Sequence, residues 1–265
     1  MSEAAEGGAM HLIFEITHRC PAKCPQCKVR KNPITVDILT YTRVLSIFRN
    51  VPSSRYLLTI SGGEPSVLEN LREYVCTGKK HGYNVTVVTN GYNPKRVINS
   101  QPNAVQVSVD YFGEKHDEHR GIKLWDGILE LLYGIKEGKI IGFVRMTLMN
   151  DNIEDVRKMH EFLQAEKIPA KIFGMPVKGV PKKKPTPEQL REAAKYCILP
   201  TSCPVGKGQF VVTPDLQVLD CLFTRNYIGS LNPLDQHSFE ELLRRHEKLE
   251  PYPCGDRYEV QAVRC

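Results

Sequence analysis

Apolar runs rich in β-branched residues recur along the chain and alternate with stretches whose apolar positions repeat at helical spacing. The runs are LIFEI (12–16), YLLTIS (56–61), NVTVVTN (84–90), AVQVSVD (104–110), IIGFVRMTLM (140–149) and AKIFGM (170–175). Helical patterns fall between them at 35–49, 67–80, 94–100, 124–137 and 152–166, with a last one at 187–197. The clearest is DNIEDVRKMHEFLQ. Asp151 or Asn152 can cap it, Glu154 and Asp155 fall in its first turn, and Ile153, Val156, Met159 or His160, and Leu163 form an apolar stripe. Six strand–helix units in a row predict an α/β fold with a parallel sheet and right-handed crossovers. Periodicity fits a doubly wound sheet and a partial (β/α)6 TIM barrel equally. In both, functional residues gather beyond the carboxyl ends of the strands.

The pattern breaks after residue 175. VKGVPKKKPTP (177–187) is rich in proline and lysine and reads as a linker or exposed loop. QFVVTPDLQVLDC (209–221) alternates around the turn signal Pro214-Asp215, which predicts a β-hairpin. SFEELLRRHEKL (238–249) predicts a final helix with Ser238 as N-cap and Glu241 completing a capping box. The expected division is a core over 10–176, a linker and helix over 177–196, and a cysteine-bearing hairpin-plus-helix extension over 197–265.

Composition narrows the setting. With 265 residues, 41% hydrophobic and 25% charged, the chain matches ordinary globular proteins and can bury a sizeable core. No run approaches the 18 or more apolar residues of a membrane span, and MSEAAEGGAM lacks the basic and apolar regions of an export signal, so a cytoplasmic protein without a membrane partner is expected. A net charge of +6 tolerates an anionic partner such as RNA, and solvated surface lysines explain it as well. Nine cysteines, an odd number with short spacings, point in a reducing compartment to metal ligation or catalysis before disulfides.

The densest cysteine segment is THRCPAKCPQC (17–27), holding Cys20, Cys24 and Cys27. Offsets of four and three would align the thiols on a helix face, but Pro21 and Pro25 obstruct a regular helix. The stretch must be a loop after the first strand, able to curl three thiolates around a compact centre. Soft donors select zinc or iron–sulfur. Structural zinc wants four ligands, whereas a cubane on three thiolates leaves one iron open for another molecule.

This CxxxCxxC segment resembles the cluster motif of the radical S-adenosylmethionine (SAM) superfamily. There, three cysteines hold a four-iron–four-sulfur (4Fe-4S) cluster and SAM chelates the fourth iron. The resemblance extends to SGGEP (61–65) after the second strand, where the family carries its GGE motif. Gly62 and Gly63 would let backbone approach a ligand closely, and Glu64 could receive the methionine ammonium. TNG (89–91) and SVD (108–110) stand where the family contacts SAM or substrate, which makes Asn90, Ser108 and Asp110 candidates. Asp110 also sits well for substrate, as the one catalytic candidate, while Asn90 reads equally as a turn residue. Arg145, if inward, could bond the SAM carboxylate, and Asn150 follows it. HDEHRG (116–121) resembles a segment found after strand four in relatives, with His116, Asp117 and Arg120 bracing a loop and His119 solvated. One position departs from the family: Gln26 stands where an aromatic usually packs on adenine.

In the tail, CPVGKGQFVVTPDLQVLDC (203–221) resembles the opening hairpin of SPASM or Twitch extensions, which help ligate an auxiliary cluster. The resemblance implies an auxiliary 4Fe-4S site with Cys203 and Cys221 as ligands, Cys254 as third and Cys197 as fourth. Zinc at the same residues is the alternative. Leu216 replaces the glycine usual five residues before the second cysteine. Cys76 reads as a core residue and Cys265 as a terminus. By resemblance, an electron donor such as flavodoxin or ferredoxin reduces the first cluster, SAM is cleaved to a 5′-deoxyadenosyl radical, and a substrate hydrogen is abstracted. A peptide or protein side chain is the first expected substrate. RNA or a nucleotide-derived precursor is the second, helped by Lys178, Lys182, Lys183 and Lys184. Glycyl-radical activation and a non-catalytic zinc or iron–sulfur module are further alternatives.

Overall fold

Alternation along the strands decides what faces what. The computed structural model describes residues 8–29, 33–177 and 180–250. Strands β1 (Ala9–Thr17), β2 (Arg55–Gly62), β3 (Asn84–Thr89), β4 (Ala104–Val109), β5 (Gly142–Leu148) and β6 (Ile172–Pro176) lie side by side in chain order, every pair parallel. One face carries Leu12, Phe14, Ile60, Val87, Val107 and Met146, all buried in the main core beneath the helices. The other face is polar and surrounds a cavity: His11 on β1, Thr59 and Ser61 on β2, Gln106 and Ser108 on β4, Arg145 and Thr147 on β5. This is the partial TIM barrel of the α/β class, with helices α1 (Ile38–Arg49), α2 (Leu71–Lys80), α3 (Pro94–Ser100), α5 (Trp125–Lys136) and α6 (Ile153–Ala165) as its crossovers.

Helix starts follow local chemistry. Asp37 caps α1 by accepting from the Thr40 amide at 2.9 Å, so the helix begins three residues later than its pattern suggested. Pro65–Val67 form a separate 3-10 turn ahead of α2. Helix α4 (Glu114–Arg120) occupies the segment expected to be a loop. Its buried residues are His116 and Arg120, so it has no apolar stripe for periodicity to detect. Asn152 sits at the N-cap of α6 without capping it. Its side chain instead accepts from the Met149 amide at 2.7 Å and donates to the Asp110 and Thr147 carbonyls, each at 2.7 Å. The Thr186–Gln189 capping box opens α7 (Pro187–Ala193).

Beyond α7 the chain rejoins the same sheet. Strand β7 (Gln209–Val212) pairs parallel with β1, then turns into antiparallel β8 (Gln217–Leu219) and β9 (Tyr227–Ser230). The hairpin predicted for 209–221 is therefore present. Leu216 adopts φ 62° in its turn, the left-handed conformation that accounts for the glycine usual there. The last helix, α8 (Gln236–Glu247), is capped by Asp235, which accepts from the Ser238 amide at 2.8 Å; Ser238 is inside the first turn, not the cap. Among the described residues, no helix is long and apolar enough to cross a membrane.

Two contacts weld extension to core. The Phe48 ring of α1 packs against Phe210 of β7 and Phe239 of α8, with centroids 5.4 and 4.5 Å away. On the cavity side, Arg225, in the loop after β8, grips Glu15 of β1 through both carboxylate oxygens at 2.5 and 3.0 Å. His18 adds a contact to Glu15 at 3.1 Å. Burial would raise the Glu15 carboxyl, but hydrogen bonds from His18 and Arg225 outweigh it and hold the group below its ordinary 4.5.

Two outcomes are expected. Phe48→Ala should lower the unfolding free energy by about 3–5 kcal/mol in urea titrations, since it empties the contact shared by α1, β7 and α8. The Glu15 pair should stabilise the fold above pH 4.5 and weaken as pH falls below it, because its folded-state pKa is the lower one. Arg225→Leu leaves a buried carboxylate with His18 alone as its described partner, at a cost of about 3–5 kcal/mol at neutral pH. Its sign of pH dependence should reverse, the variant recovering stability as acid neutralises Glu15 in melts between pH 7 and 4.

Candidate functional site

Three loops at the carboxyl ends of β1, β2 and β3 lie against one another. The Gly63 amide donates to the Thr17 carbonyl at 2.7 Å, and the Glu64 amide to the Arg19 carbonyl at 2.9 Å. Gly62 has φ 126°, and a Cβ there would stand 2.2 Å from the Thr17 carbonyl oxygen. At Gly63 it would stand 2.3 Å from that of Arg19. The two glycines are thus required by the chain's own backbone, which they press against just ahead of Cys20.

Glu64 is 1% exposed. Its carboxylate accepts from the Ser66 amide at 2.9 Å, the Thr89 hydroxyl at 2.9 Å and the Asn90 amide at 2.7 Å. Burial still pushes its pKa up against those hydrogen bonds. Glu64 so fixes the end of β3, where Asn90 accepts from the Tyr92 amide at 3.0 Å and points its own amide at the Cys20 sulfur at 3.8 Å. Asn90 is both turn residue and cysteine neighbour.

All three cysteines of the first loop open onto one cavity of about 510 Å³. Gly62, Gly63, Glu64, Asn90, Ser108, Asp110 and Arg145 line the same space, so seven of the eight expected SAM or substrate residues converge there. Asn150 does not. It is exposed, donates to the Lys182 carbonyl at 3.1 Å, and braces the 180–183 segment, because the strand ends at Leu148 and turns away from the cavity. Burial pushes the Cys20 thiol up to about 11 and raises Cys24 too. These thiols are neutral when free and need a cation among them to become ligands. Among the described residues, no three His, Cys, Asp or Glu side chains converge on a single-ion site.

Asp110 follows β4 with 1% exposure. Arg120 reaches its Oδ2 through Nε at 2.9 Å and Nη2 at 2.8 Å, and Gln26 Nε2 donates to the same oxygen at 3.0 Å. Burial alone would raise this carboxyl, but Arg120 holds it below the ordinary carboxylate range. His116 Nδ1 accepts from the Asp110 amide at 3.1 Å, and Asp117 accepts from the Leu124 and Trp125 amides at 2.8 and 2.9 Å. His116, Asp117 and Arg120 therefore brace as expected, from a helix. His119 is not solvated: it contacts Gln26 Oε1 at 2.7 Å and its ring lies 4.8 Å from that of Tyr111. Arg145 is different. Burial lowers its pKa with no carboxylate to offset it among the described residues.

Residues not singled out from sequence complete the wall: His11, Thr59, Gln106, Thr147 and Gln209. Their signal was the polar residue at every second strand position, as in QVSVD and VRMT. Leu222 and Phe223 close the side, so the extension forms part of the cavity. Cys203 and Cys221 pack together with Val205. Cys197 is elsewhere, in the main core, where a Cβ on Gly174 would stand 2.6 Å from its sulfur. It cannot join the other two as a ligand, because β6 and α7 hold it in a separate groove. Cys254, Cys265 and Lys178 lie outside the described residues. Cys76 is partly exposed on α2 rather than core.

The Radical SAM superfamily profile matches residues 14–163, more than half of the chain. Fe-coproporphyrin III synthase of Methanosarcina barkeri is 26% identical over 170 residues, covering 61% of this chain and 43% of that protein. PqqA peptide cyclase of Streptomyces rochei is 31% identical over 104 residues, covering 34% of this chain and 26% of that one. The chain thus matches less than half the length of either relative. Streptococcus suis SuiB bound to its precursor peptide SuiA superposes with a TM-score of 0.72 at 12% identity, over 92% of this chain and 68% of that one.

Glu64→Gln keeps the shape but turns an amide nitrogen toward groups that are themselves donors. It should cost about 1–3 kcal/mol of stability in urea unfolding. Amide exchange should rise first at residues 64–66 and 89–92.

Proposed function

The chain belongs to the radical SAM superfamily and is a radical SAM enzyme, and we propose that it modifies a peptide or protein side chain. Membership brings a 4Fe-4S cluster and SAM as cofactors. Bound together and reduced by one electron, they supply a 5′-deoxyadenosyl radical able to abstract hydrogen from an unactivated carbon. The observation that carries the residue assignment is the meeting of Cys20, Cys24, Cys27, the Gly-Gly-Glu turn and Arg145 in one cavity.

In this reading Cys20, Cys24 and Cys27, which line one cavity, each take one iron. Glu64 receives the methionine ammonium, its carboxylate held in place by three donors. Arg145, a half-buried cation without a carboxylate opposite among the described residues, takes the methionine carboxylate, with Ser108 beside it on β4. Asp110 offers an acceptor to ribose or substrate. Arg120 keeps it ionised, so it orients rather than carries protons.

Cys203 and Cys221, packed together, are the proposed ligands of an auxiliary cluster, with Cys254, outside the described residues, as the third. The division into a core over 10–176, a linker over 177–196 and a SPASM/Twitch-like extension over 197–265 accords with that role. A cytoplasmic setting suits these thiols. An electron donor such as flavodoxin or ferredoxin could approach at a surface cleft where Cys20 is flanked by Arg19 and Arg96. The peptide substrate is supported by one relative, a peptide cyclase, and by one structural neighbour, a protein bound to a precursor peptide. A tetrapyrrole is the second reading, favoured by the similarity over 170 residues to Fe-coproporphyrin III synthase. RNA is weaker, since Lys183 of the basic loop is paired with Asp151.

Anaerobically reconstituted protein should bind about eight irons if both sites hold four-iron clusters, or about four if only the first does. With dithionite and SAM it should release 5′-deoxyadenosine, and replacing Cys20, Cys24 and Cys27 by Ala together should abolish that release. Continued release would overturn the assignment. Cell extract grown in deuterium should transfer label into 5′-deoxyadenosine. Loss of transfer after protease treatment supports a peptide, and retention refutes it in favour of a small molecule.

A further inference from the structure

Gln26 lies between two of the loop cysteines and reaches to partners far along the chain. Its carboxamide spans 84 residues to Asp110 on one side and 93 to His119 on the other. The orientation of the amide is determined by chemistry. Asp110 Oδ2 can only accept, so Nε2 faces it at 3.0 Å, and Oε1 is left to accept from His119 Nε2 at 2.7 Å. Both partners are themselves immobilised. Asp110 is pinned by Arg120, and His119 lies against the ring of Tyr111, whose hydroxyl donates to Asp151 at 2.9 Å. A third tie runs along the backbone, where the Lys23 amide donates to the Arg120 carbonyl at 2.8 Å.

We infer that Gln26 is a positioning residue, a clasp that fastens the cysteine loop to the Asp110–Arg120 pair and α4 before any metal binds. The inference rests on the reading of Cys20, Cys24 and Cys27 as the metal site. The loop needs such a fastening. Between Ala22 and Val29 it has neither helix nor strand, and Cys27 is exposed. An amide is the one side-chain group that fits both ends, with a donor for the carboxylate and an acceptor for the imidazole. Glutamate would set a second carboxylate against Asp110. Phenylalanine would satisfy neither partner. Gln26 thereby preorganises the loop that carries the cysteines.

The test compares Gln26→Glu, Gln26→Phe and the double variant Gln26→Glu with Asp110→Asn, which exchanges amide and carboxylate between the two positions and so retains one of each. Hydrogen exchange is measured on metal-free protein, which keeps the test independent of the cluster chemistry, and iron retention after gel filtration is measured on reconstituted protein. Both single variants should exchange about tenfold faster across 22–28 and 118–121, the order expected for losing a charge-assisted hydrogen bond, and should lose iron faster. The double variant should return towards the natural chain in both measurements. Unchanged exchange in the single variants overturns the clasp. A rise spread over β1–β6 that the double variant leaves in place also overturns it, because loss of a clasp is local. A loosened loop with undiminished iron retention overturns its bearing on the metal site. If iron is never bound but exchange responds as expected, the cluster assignment fails and the clasp stands.

Discussion

A carboxylate held almost wholly away from water has to be neutralised, and at Asp110 that requirement organises the upper end of the barrel. Arg120 supplies the charge, so the chain after β4 must turn back at once as α4 to bring it there. The remaining hydrogen-bonding capacity of Asp110 recruits other segments: His116 on its amide, Asn152 on its carbonyl, Gln26 on its carboxylate. One residue thereby joins the cysteine loop, α4 and the start of α6.

The rest of the site follows the same logic of backbone groups satisfied by side chains. Glu64 ties the β2 loop to the end of β3, and the glycines before it let that turn lie on the strand leading to Cys20. Because these groups are held by donors of the protein itself, the ends of β2, β3 and β4 are tied to the loops around the cavity. Arg145 is the exception, a half-buried charge with no carboxylate opposite it among the described residues, and is therefore a place where a ligand's anionic group would be favoured. The polar inner face of the strands gives such a ligand hydrogen-bonding walls, while the apolar outer face holds the sheet to its helices.

Much of this was legible in the sequence, and what was missed was missed for physical reasons. The six strands and their crossovers announce themselves through β-branched runs and periodic stripes. The hairpin announces itself through Pro214-Asp215. The cysteine spacing, SGGEP and the strand-end polar residues marked the cavity, because short spacings survive folding. Helix α4 was invisible because EKHDEHR buries a histidine and an arginine instead of an apolar stripe. The engagement of His119 depends on a partner 93 residues away, which no local pattern encodes. Cys197 is close to Cys203 in sequence, yet the chain passes from the main core to the edge of the extension between them. At α8 the cap is Asp235, three residues before the Ser238 that the pattern pointed to, because its carboxylate accepts from the Ser238 amide. Asn150 looked like a strand-end ligand only while the carboxyl end of β5 was read one residue too long.

The ion pair between Glu15 and Arg225 has a further consequence, for inheritance. Glu15 is wholly buried on a core strand, and its counter-charge is contributed by the extension more than two hundred residues later. A core recombined with a foreign extension lacking an arginine at that place would carry an orphaned charge in its first strand. Shuffling of tails among related enzymes is thus constrained by electrostatics as well as by loop length. A new tail can be accepted when it brings its own cation to Glu15, or when Glu15 is first replaced by a neutral residue. The two halves of the molecule are in this sense one hereditary unit.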